Sequence, residues 1–193
     1  MSATFLVWCL SLVAQPAPVT VVFETTAGEI VIEVNVARAP VTAANFLRYV
    51  DEGWYTGGRF HRTVRPDTET NTEYPIQVIQ ASRRRAPRGE GPAIPAIALE
   101  RTRDTGLTHV DGAVSMARVA GQPDSAASDF FIAIGPQPSL DFGGRRNADG
   151  QGFAVFGRVI AGMDVVRKIQ AAAVRPGTQS LDPLVAIVAA RRK

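Results

Sequence analysis

Short segments with strand character recur along the whole chain, and they limit the folds that it can adopt more than any other property. VTVVFETTAGEIVIEV, residues 19–34, alternates apolar residues on both sides of Ala27-Gly28, which predicts a β-hairpin. Further strands are predicted at 59–64, 112–119, 129–134, 152–160 and 184–191. Because helices do not alternate regularly with these strands, the pattern favours an antiparallel barrel or sandwich capped by helices.

Two segments have helical patterns. Pro40 suits a first helical turn, four apolar residues follow at helical spacing, and Gly53 follows the end. The apolar face predicted for this helix consists of Val41, Ala44, Leu47 and Val50. Residues 162–170 predict a second, short amphipathic helix.

The composition is that of one globular domain with a real core. The chain has 193 residues, of which 46% are hydrophobic and 20% charged. The net charge is +3 and the pI about 9.5, with arginines in short clusters scattered along the chain. A nucleic-acid surface usually combines a basic stripe with aromatic residues, so we interpret these clusters as solvated faces and predict no nucleic-acid partner.

The N-terminal residues 1–14 are nearly all apolar and carry no charged side chain. This run is too short to span a bilayer and fits the apolar region of a secretory signal peptide. We therefore predict a signal peptide at 1–17, a domain at 18–193, and a periplasmic or secreted protein without stable membrane insertion. Because no basic residue precedes the run, a mis-chosen start codon or short hydrophobic tail, with a cytoplasmic protein, stays the alternative. Signal cleavage would remove Cys9 and leave no cysteine for disulfide or thiol chemistry.

Few residues suit metal or hydrolytic chemistry. The chain has two histidines, His61 and His109, no cysteine cluster and no G-x-S-x-G nucleophile motif. We predict neither a metal nor another cofactor. His61 alternates with Phe60 and Arg62, which predicts a buried, hydrogen-bonded ring on the opposite face of the strand.

Arg62 is the residue that suggests a function. Strand alternation predicts that Phe60 and Arg62 share one face, that Val78 and Gln80 share one face, and that Phe131 points away from its neighbours Phe130 and Ile132. Arg62, Gln80 and Phe131 would then meet on the exterior of the sheet as an apolar patch edged by hydrogen-bond donors. A merely solvated arginine is the alternative that the pattern leaves open.

Several segments taken together resemble the cyclophilins. They are FHR at 60–62, VIQ at 78–80, GAVSMAR at 112–118, SDFFI at 128–132 and FAVFGRVIAGMDVVRKI at 153–169, in the family's order between Val19 and Arg192. The resemblance implies an eight-stranded antiparallel β-barrel capped by two helices. It also implies peptidyl-prolyl cis-trans isomerase activity on unfolded or partly folded polypeptides that contain proline, without a cofactor. We expect a monomer.

The resemblance also implies a role for individual residues. Arg62 would be the catalytic arginine, and Gln80 would hold the substrate carbonyl as its catalytic partner. The residues implied in substrate binding are Phe60, Val78, Ala117, Arg118 (mainly through its backbone), Phe131 as the floor of the proline pocket, Leu140 and Phe153.

The sequence departs from the family pattern around this pocket. The connection between Arg62 and Gln80 is longer than usual, and its inserted residues 65–75 would form a lid or rim. Gln77 replaces a common pocket phenylalanine, Asp129 a glutamine, and Ser139 the tryptophan of cyclosporin-sensitive members. We therefore expect weak cyclosporin binding. The alternative function is a weakly active or inactive module that binds proline-containing peptides.

Overall fold

The computed structural model describes residues 15–85 and 95–193. Within these ranges eight strands form a closed, antiparallel barrel in the order β1-β2-β7-β5-β6-β4-β3-β8. The strands are β1 Val19–Thr25, β2 Gly28–Val34, β3 Arg59–Val64, β4 Val78–Ser82, β5 Ala113–Met116, β6 Phe130–Ala133, β7 Val155–Ala161 and β8 Ser180–Arg192. The predicted barrel is thereby confirmed and the sandwich alternative is excluded.

The predicted hairpin is confirmed as β1 and β2, which pair from Val19↔Val34 to Thr25↔Gly28. Gly28 has a φ of 139°, a value that favours glycine and lets the chain reverse. Strands β5 and β6 are shorter than predicted, whereas β8 begins at Ser180, before its predicted start at residue 184. Strand β8 pairs with β1 on one side and β3 on the other, and this closes the barrel.

In the described part of the chain, three α-helices accompany the barrel: α1 Pro40–Asp51, the one-turn α2 Thr102–Thr105, and α3 Met163–Ala171. Helices α1 and α3 are the predicted ones. The predicted face of α1 is wrong for two of its four residues, because Val41 is 45% exposed and Ala44 is exposed as well. The helix turns Phe46 into the barrel instead, where its ring lies 4.7 Å from that of Phe156 and 5.5 Å from that of Phe130. Burying the larger aromatic ring stabilises the fold more than burying a valine.

Strand β3 contains an irregularity that decides which side chains leave the barrel. Its register with β4 shifts between Phe60 and Arg62, as a β-bulge does by adding one unpaired residue. Phe60 therefore points inward, edge-on to Phe130 at 6.1 Å, while Arg62 and His61 lie on the outer side. The prediction that Phe60 and Arg62 share a face is wrong. Phe60 belongs to the interior core and not to a surface site.

The predicted signal peptide's apolar run and Cys9 lie outside the described residues. Across 15–85 and 95–193, no helix has the length and apolar character needed to cross a bilayer.

Candidate active site

A cavity of about 200 Å³ lies on the outer side of β3, β4 and β6. Cross-strand pairing explains its composition, because Arg62 is opposite Gln80 and Gln80 is opposite Phe131. The predicted meeting of these three residues is thus confirmed by the register. The residues that line the cavity are Arg62, Ile76, Val78, Gln80, Ala117, Arg118, Phe131, Leu140, Arg146, Asn147 and Phe153. Of the residues implied by resemblance, only Phe60 does not line the cavity, because the β3 bulge turns its ring into the barrel interior.

The floor of this groove is apolar. Phe131, Val78, Leu140 and Ile76 form a buried cluster, and the Phe153 ring stands perpendicular to Phe131 at 5.4 Å. Gln77, expected as a polar wall, does not line the groove; its side chain accepts a hydrogen bond from Gln170 at 3.2 Å. Ile76 takes the wall position, so the pocket keeps an apolar surface. A pocket of this size and polarity suits one small apolar ring.

The Arg62 guanidinium is held by two glutamines. Its Nε and Nη2 donate to Gln179 Oε1 at 2.9 and 2.7 Å, and its Nη1 donates to Gln80 Oε1 at 3.0 Å. Of the five N–H groups of an arginine, two are left without a partner among the described residues. Because the Gln80 oxygen accepts from Arg62, its amide nitrogen is left to donate into the groove. Gln179 has no signal in the sequence that marks it as a site residue.

The charge environment of Arg62 is mixed. Burial lowers the pKa of the Arg62 guanidinium, and like-charged Arg146 lowers it further, whereas Glu69 raises it. Arginine nevertheless stays protonated near neutral pH. The groove thus presents a permanent cation beside an apolar floor.

The inserted segment 65–75, predicted as a lid or rim, supplies no lining residue of the groove but is hydrogen-bonded to residues around it. The Glu69 carboxylate accepts hydrogen bonds from the backbone N–H groups of Asn71 and Ile76 and from Arg146 Nη1, each at 2.8–2.9 Å. The Glu69 side chain is only 4% exposed. Gln179 Nε2 donates to the Thr68 carbonyl at 2.9 Å. The insertion therefore supports Arg62 through Gln179, and its Glu69 carboxylate holds the backbone of Ile76, the next residue after the insertion, at the wall.

Arg118 supports the opposite rim. Its guanidinium binds both oxygens of Asp149 at 2.8 and 2.9 Å, donates to the Gly152 carbonyl at 2.8 Å, and lies over the Phe153 ring. The side chain is 1% exposed, so it ties the glycine-rich turn before β7 to the groove and does not reach solvent. This placement agrees with the expectation that Arg118 meets a ligand mainly through its backbone.

Beneath the floor, the buried Ser115 and His109 form a hydrogen-bonded row with the half-buried Asp141. His109 Nδ1 is 2.7 Å from Asp141 Oδ1, and its Nε2 is 3.1 Å from Ser115 Oγ. Ser115 is fully buried, and the His109 ring stacks under Phe131 at 5.8 Å. The hydroxyl is shielded from the groove, so this triad supports Phe131 and has no geometry for attack on a substrate.

His61 differs from its prediction. The ring is half-buried, and Nδ1 has no hydrogen-bond partner among the described residues. Burial lowers the pKa of His61, against an opposing effect of Asp129. The β3 bulge turns this ring onto the outer side, next to the groove.

Comparison with known proteins gives consistent results. Residues 20–192 match the family model described as cyclophilin type peptidyl-prolyl cis-trans isomerase/CLD. Peptidyl-prolyl cis-trans isomerase A of Dickeya dadantii is 35% identical over 149 residues, 77% of this chain and 70% of that protein. Peptidyl-prolyl cis-trans isomerase B of Escherichia coli is 33% identical over 153 residues, 79% of this chain and 85% of that protein.

A solved structure also resembles the fold. The cyclophilin type peptidyl-prolyl cis-trans isomerase of Cryptosporidium parvum, crystallised in the presence of the dipeptide Ala-Pro, has a TM-score of 0.68 and 20% identity. The likeness covers 90% of this chain and 98% of that chain.

Proposed function

This chain belongs to the cyclophilin-type peptidyl-prolyl cis-trans isomerases, and from that premise we propose that it accelerates X-Pro rotation in the groove around Arg62. The observation that carries the proposal is the Arg62 guanidinium, fixed by Gln80 and Gln179 with two N–H groups directed to no described partner. Those donors lie beside an apolar pocket for a prolyl ring. The substrates are unfolded or partly folded polypeptides that contain proline.

The reaction needs no bond to be broken. Amide resonance gives the X-Pro bond a rotational barrier of about 18–20 kcal/mol. A donor aimed at the prolyl nitrogen favours the twisted, pyramidal state, in which resonance is lost and the nitrogen lone pair accepts a hydrogen bond. Arg62 supplies this donor, Phe131 and its neighbours hold the ring away from water, and the Gln80 amide holds a flanking carbonyl.

Arg62 does not account for the whole acceleration. A charge-assisted hydrogen bond contributes about 1.5–3 kcal/mol net. Reducing a step of ~100 s to milliseconds takes about 7 kcal/mol, at 1.36 kcal/mol per tenfold. The pocket and the polar groups around it supply the difference by binding the twisted state more strongly than either planar isomer.

The first test is Arg62→Ala in an isomerisation assay on an X-Pro peptide. Loss of one charge-assisted donor at about 1.5–3 kcal/mol predicts a fall in kcat/KM of about ten- to hundredfold. Arg62→Lys keeps the charge without the planar fork and should recover only part of the loss. Arg158→Ala is the matched control, because this arginine lies on β7 away from the groove.

Equal rates for Arg62→Ala and the wild type would contradict the proposed role of Arg62. If both equal the uncatalysed rate while a proline peptide still binds, the chain is the binding module that the sequence left as its alternative. The assay therefore separates the two functions.

We also propose that the protein acts outside the cytoplasm as a monomer. The uncharged apolar run at 1–14 supports export. N-terminal sequencing of the protein from its native cells should find a start near residue 15 or 18. A mature protein that begins at Met1 would contradict export, and light scattering on that material would report the number of chains.

A further inference from the structure

A second cavity, of about 1040 Å³ and open to solvent, lies beside the groove on the same barrel wall. Five arginines line it: Arg59, Arg83, Arg84, Arg85 and Arg175. We call this cavity the arginine cleft. Its other wall residues include Asp129 and Asp182, and no phenylalanine, tyrosine or tryptophan. Positive charge therefore exceeds negative charge on its walls.

The cleft arginines lack carboxylate partners within the part of the chain that the structure describes. The ion pairs of the described residues are all formed by basic side chains outside the cleft. Surface arginines elsewhere, such as Arg158 and Arg192, pair with Glu33 and Asp51. Among residues 15–85 and 95–193, no ion pair offsets the charge of these five arginines.

Part of the cleft is held in place by packing. The guanidinium carbons of Arg83 and Arg84 lie 5.4 and 4.3 Å from the centre of the Trp54 ring. The Arg84 backbone N–H donates to the Trp54 carbonyl at 3.0 Å. Stacking on an aromatic ring lowers the side-chain entropy that a guanidinium loses when it binds a ligand.

The cleft continues the groove along the same strands. Ser82 follows Gln80 by two residues on β4, and Asp129 precedes Phe131 by two residues. Two strand residues correspond to about 7 Å, which is also the advance of an extended polypeptide over two residues. A client held in the groove by its proline would therefore place a residue two or three positions away at the cleft.

We propose that the arginine cleft binds carboxylate side chains of the client polypeptide and so makes the enzyme prefer X-Pro sites in acidic segments. This rests on the proposed function, because the groove must hold the proline. Guanidinium groups match carboxylates with paired N–H donors. The two carboxylates on the cleft walls, Asp129 and Asp182, disfavour a polyanionic nucleic-acid strand as the occupant.

The test uses two peptides with the same X-Pro bond, one with Glu and one with Gln two and three positions to either side of the proline. Two exposed or half-exposed charge pairs predict a kcat/KM for the Glu peptide about three- to tenfold higher at low salt. High salt should remove this preference. The double variant Arg59→Gln/Arg175→Gln leaves three of the five cleft arginines, so the preference for the Glu peptide should shrink in it, whereas Arg158→Gln should keep the full preference.

Binding of labelled versions of both peptides, measured by fluorescence anisotropy, separates the two proposals. One outcome is that the Glu peptide binds more tightly than the Gln peptide, by a margin that shrinks in the arginine double variant, while neither peptide is isomerised. That result would contradict the proposed function and support the cleft proposal. Equal binding and equal turnover of the two peptides would overturn the cleft proposal alone. Tighter, arginine-dependent binding of an oligothymidylate than of the Glu peptide would overturn it in favour of a nucleic-acid site.

Discussion

At the scale of single residues, Arg62 depends on a side chain that does not line the groove. Gln179 accepts two hydrogen bonds from the guanidinium and donates one to the inserted segment at Thr68. These contacts fix the plane of the guanidinium, and with it the direction of the donors left for a substrate. Gln179 thus positions Arg62, and the inserted segment in turn holds Gln179 through the Thr68 carbonyl.

Gln179→Ala should lower kcat about tenfold and leave KM nearly unchanged. The reason is that hydrogen bonds to a charged group, at about 1.5–3 kcal/mol each, would no longer orient the donor, while the apolar pocket stays intact. Gln179→Glu keeps the acceptor and should recover part of the loss. Steady-state kinetics on one X-Pro peptide measures both, and an unchanged kcat in Gln179→Ala would remove the residue from the mechanism.

The His109 ring beneath Phe131 makes stability depend on pH. Burial is the main cause that lowers the pKa of His109 from its ordinary value of 6.5, although Asp141 opposes the shift. The unfolded chain then binds the proton more readily than the folded one. The free energy of unfolding should therefore fall as the pH drops below about 6.5 and stay level above it.

Urea unfolding at about pH 7.5 and about pH 5.5 checks this, since the first lies above the ordinary histidine pKa of about 6.5 and the second below it. His109→Gln should reduce the loss of stability on acidification relative to the wild type. The pKa of His61 is shifted in the same direction by burial, so His61→Gln is the comparison that separates the two rings. A His109→Gln variant with the full wild-type pH dependence would contradict the assignment.

At the scale of elements, the glycine-rich turn before β7 is held by an ion pair between the buried Arg118 and the half-buried Asp149. Asp149→Asn should lower the free energy of unfolding by about 2–3 kcal/mol, because Arg118 would keep a buried charge with weaker partners. Glu33→Gln is the matched control: it breaks the exposed pair with Arg158 and should cost less than about 1 kcal/mol. Equal losses in the two variants, measured by urea unfolding, would show that burial of Arg118 does not matter.

The facing of side chains in an element was predictable where the apolar pattern fitted only one arrangement of its residues. The β1–β2 hairpin and the outward turn of Phe131 followed from strict alternation, and the structure has both. Alternation failed in β3, because a bulge adds a residue that no local pattern marks. It also failed for α1, where Val41 and Phe46 both fit a helical repeat and packing inside the barrel selects the larger ring.

At the scale of the whole molecule, the site combines residues that lie far apart in the sequence. Arg62 and Gln179 are 117 positions apart, and only barrel closure brings them together. All residues that the resemblance implied, apart from Phe60, line the groove, but the resemblance did not supply the lining residues Ile76, Arg146 and Asn147. It also could not supply contacts specific to this chain, such as that of Glu69 with Arg146. Weak cyclosporin binding, inferred from Ser139, stays a prediction.

The pairing of β8 with both β1 and β3 has a consequence for how the chain reaches its native state. Until β8 docks, β1 and β3 are unprotected sheet edges open to intermolecular pairing. Contacts between such distant segments carry a high loop-closure entropy, so barrels with high contact order fold in milliseconds to seconds. Gln179 immediately precedes β8. The hydrogen bonds that orient Arg62 can therefore form only once β8 has docked, and a nascent chain in which this strand is still unpaired lacks them.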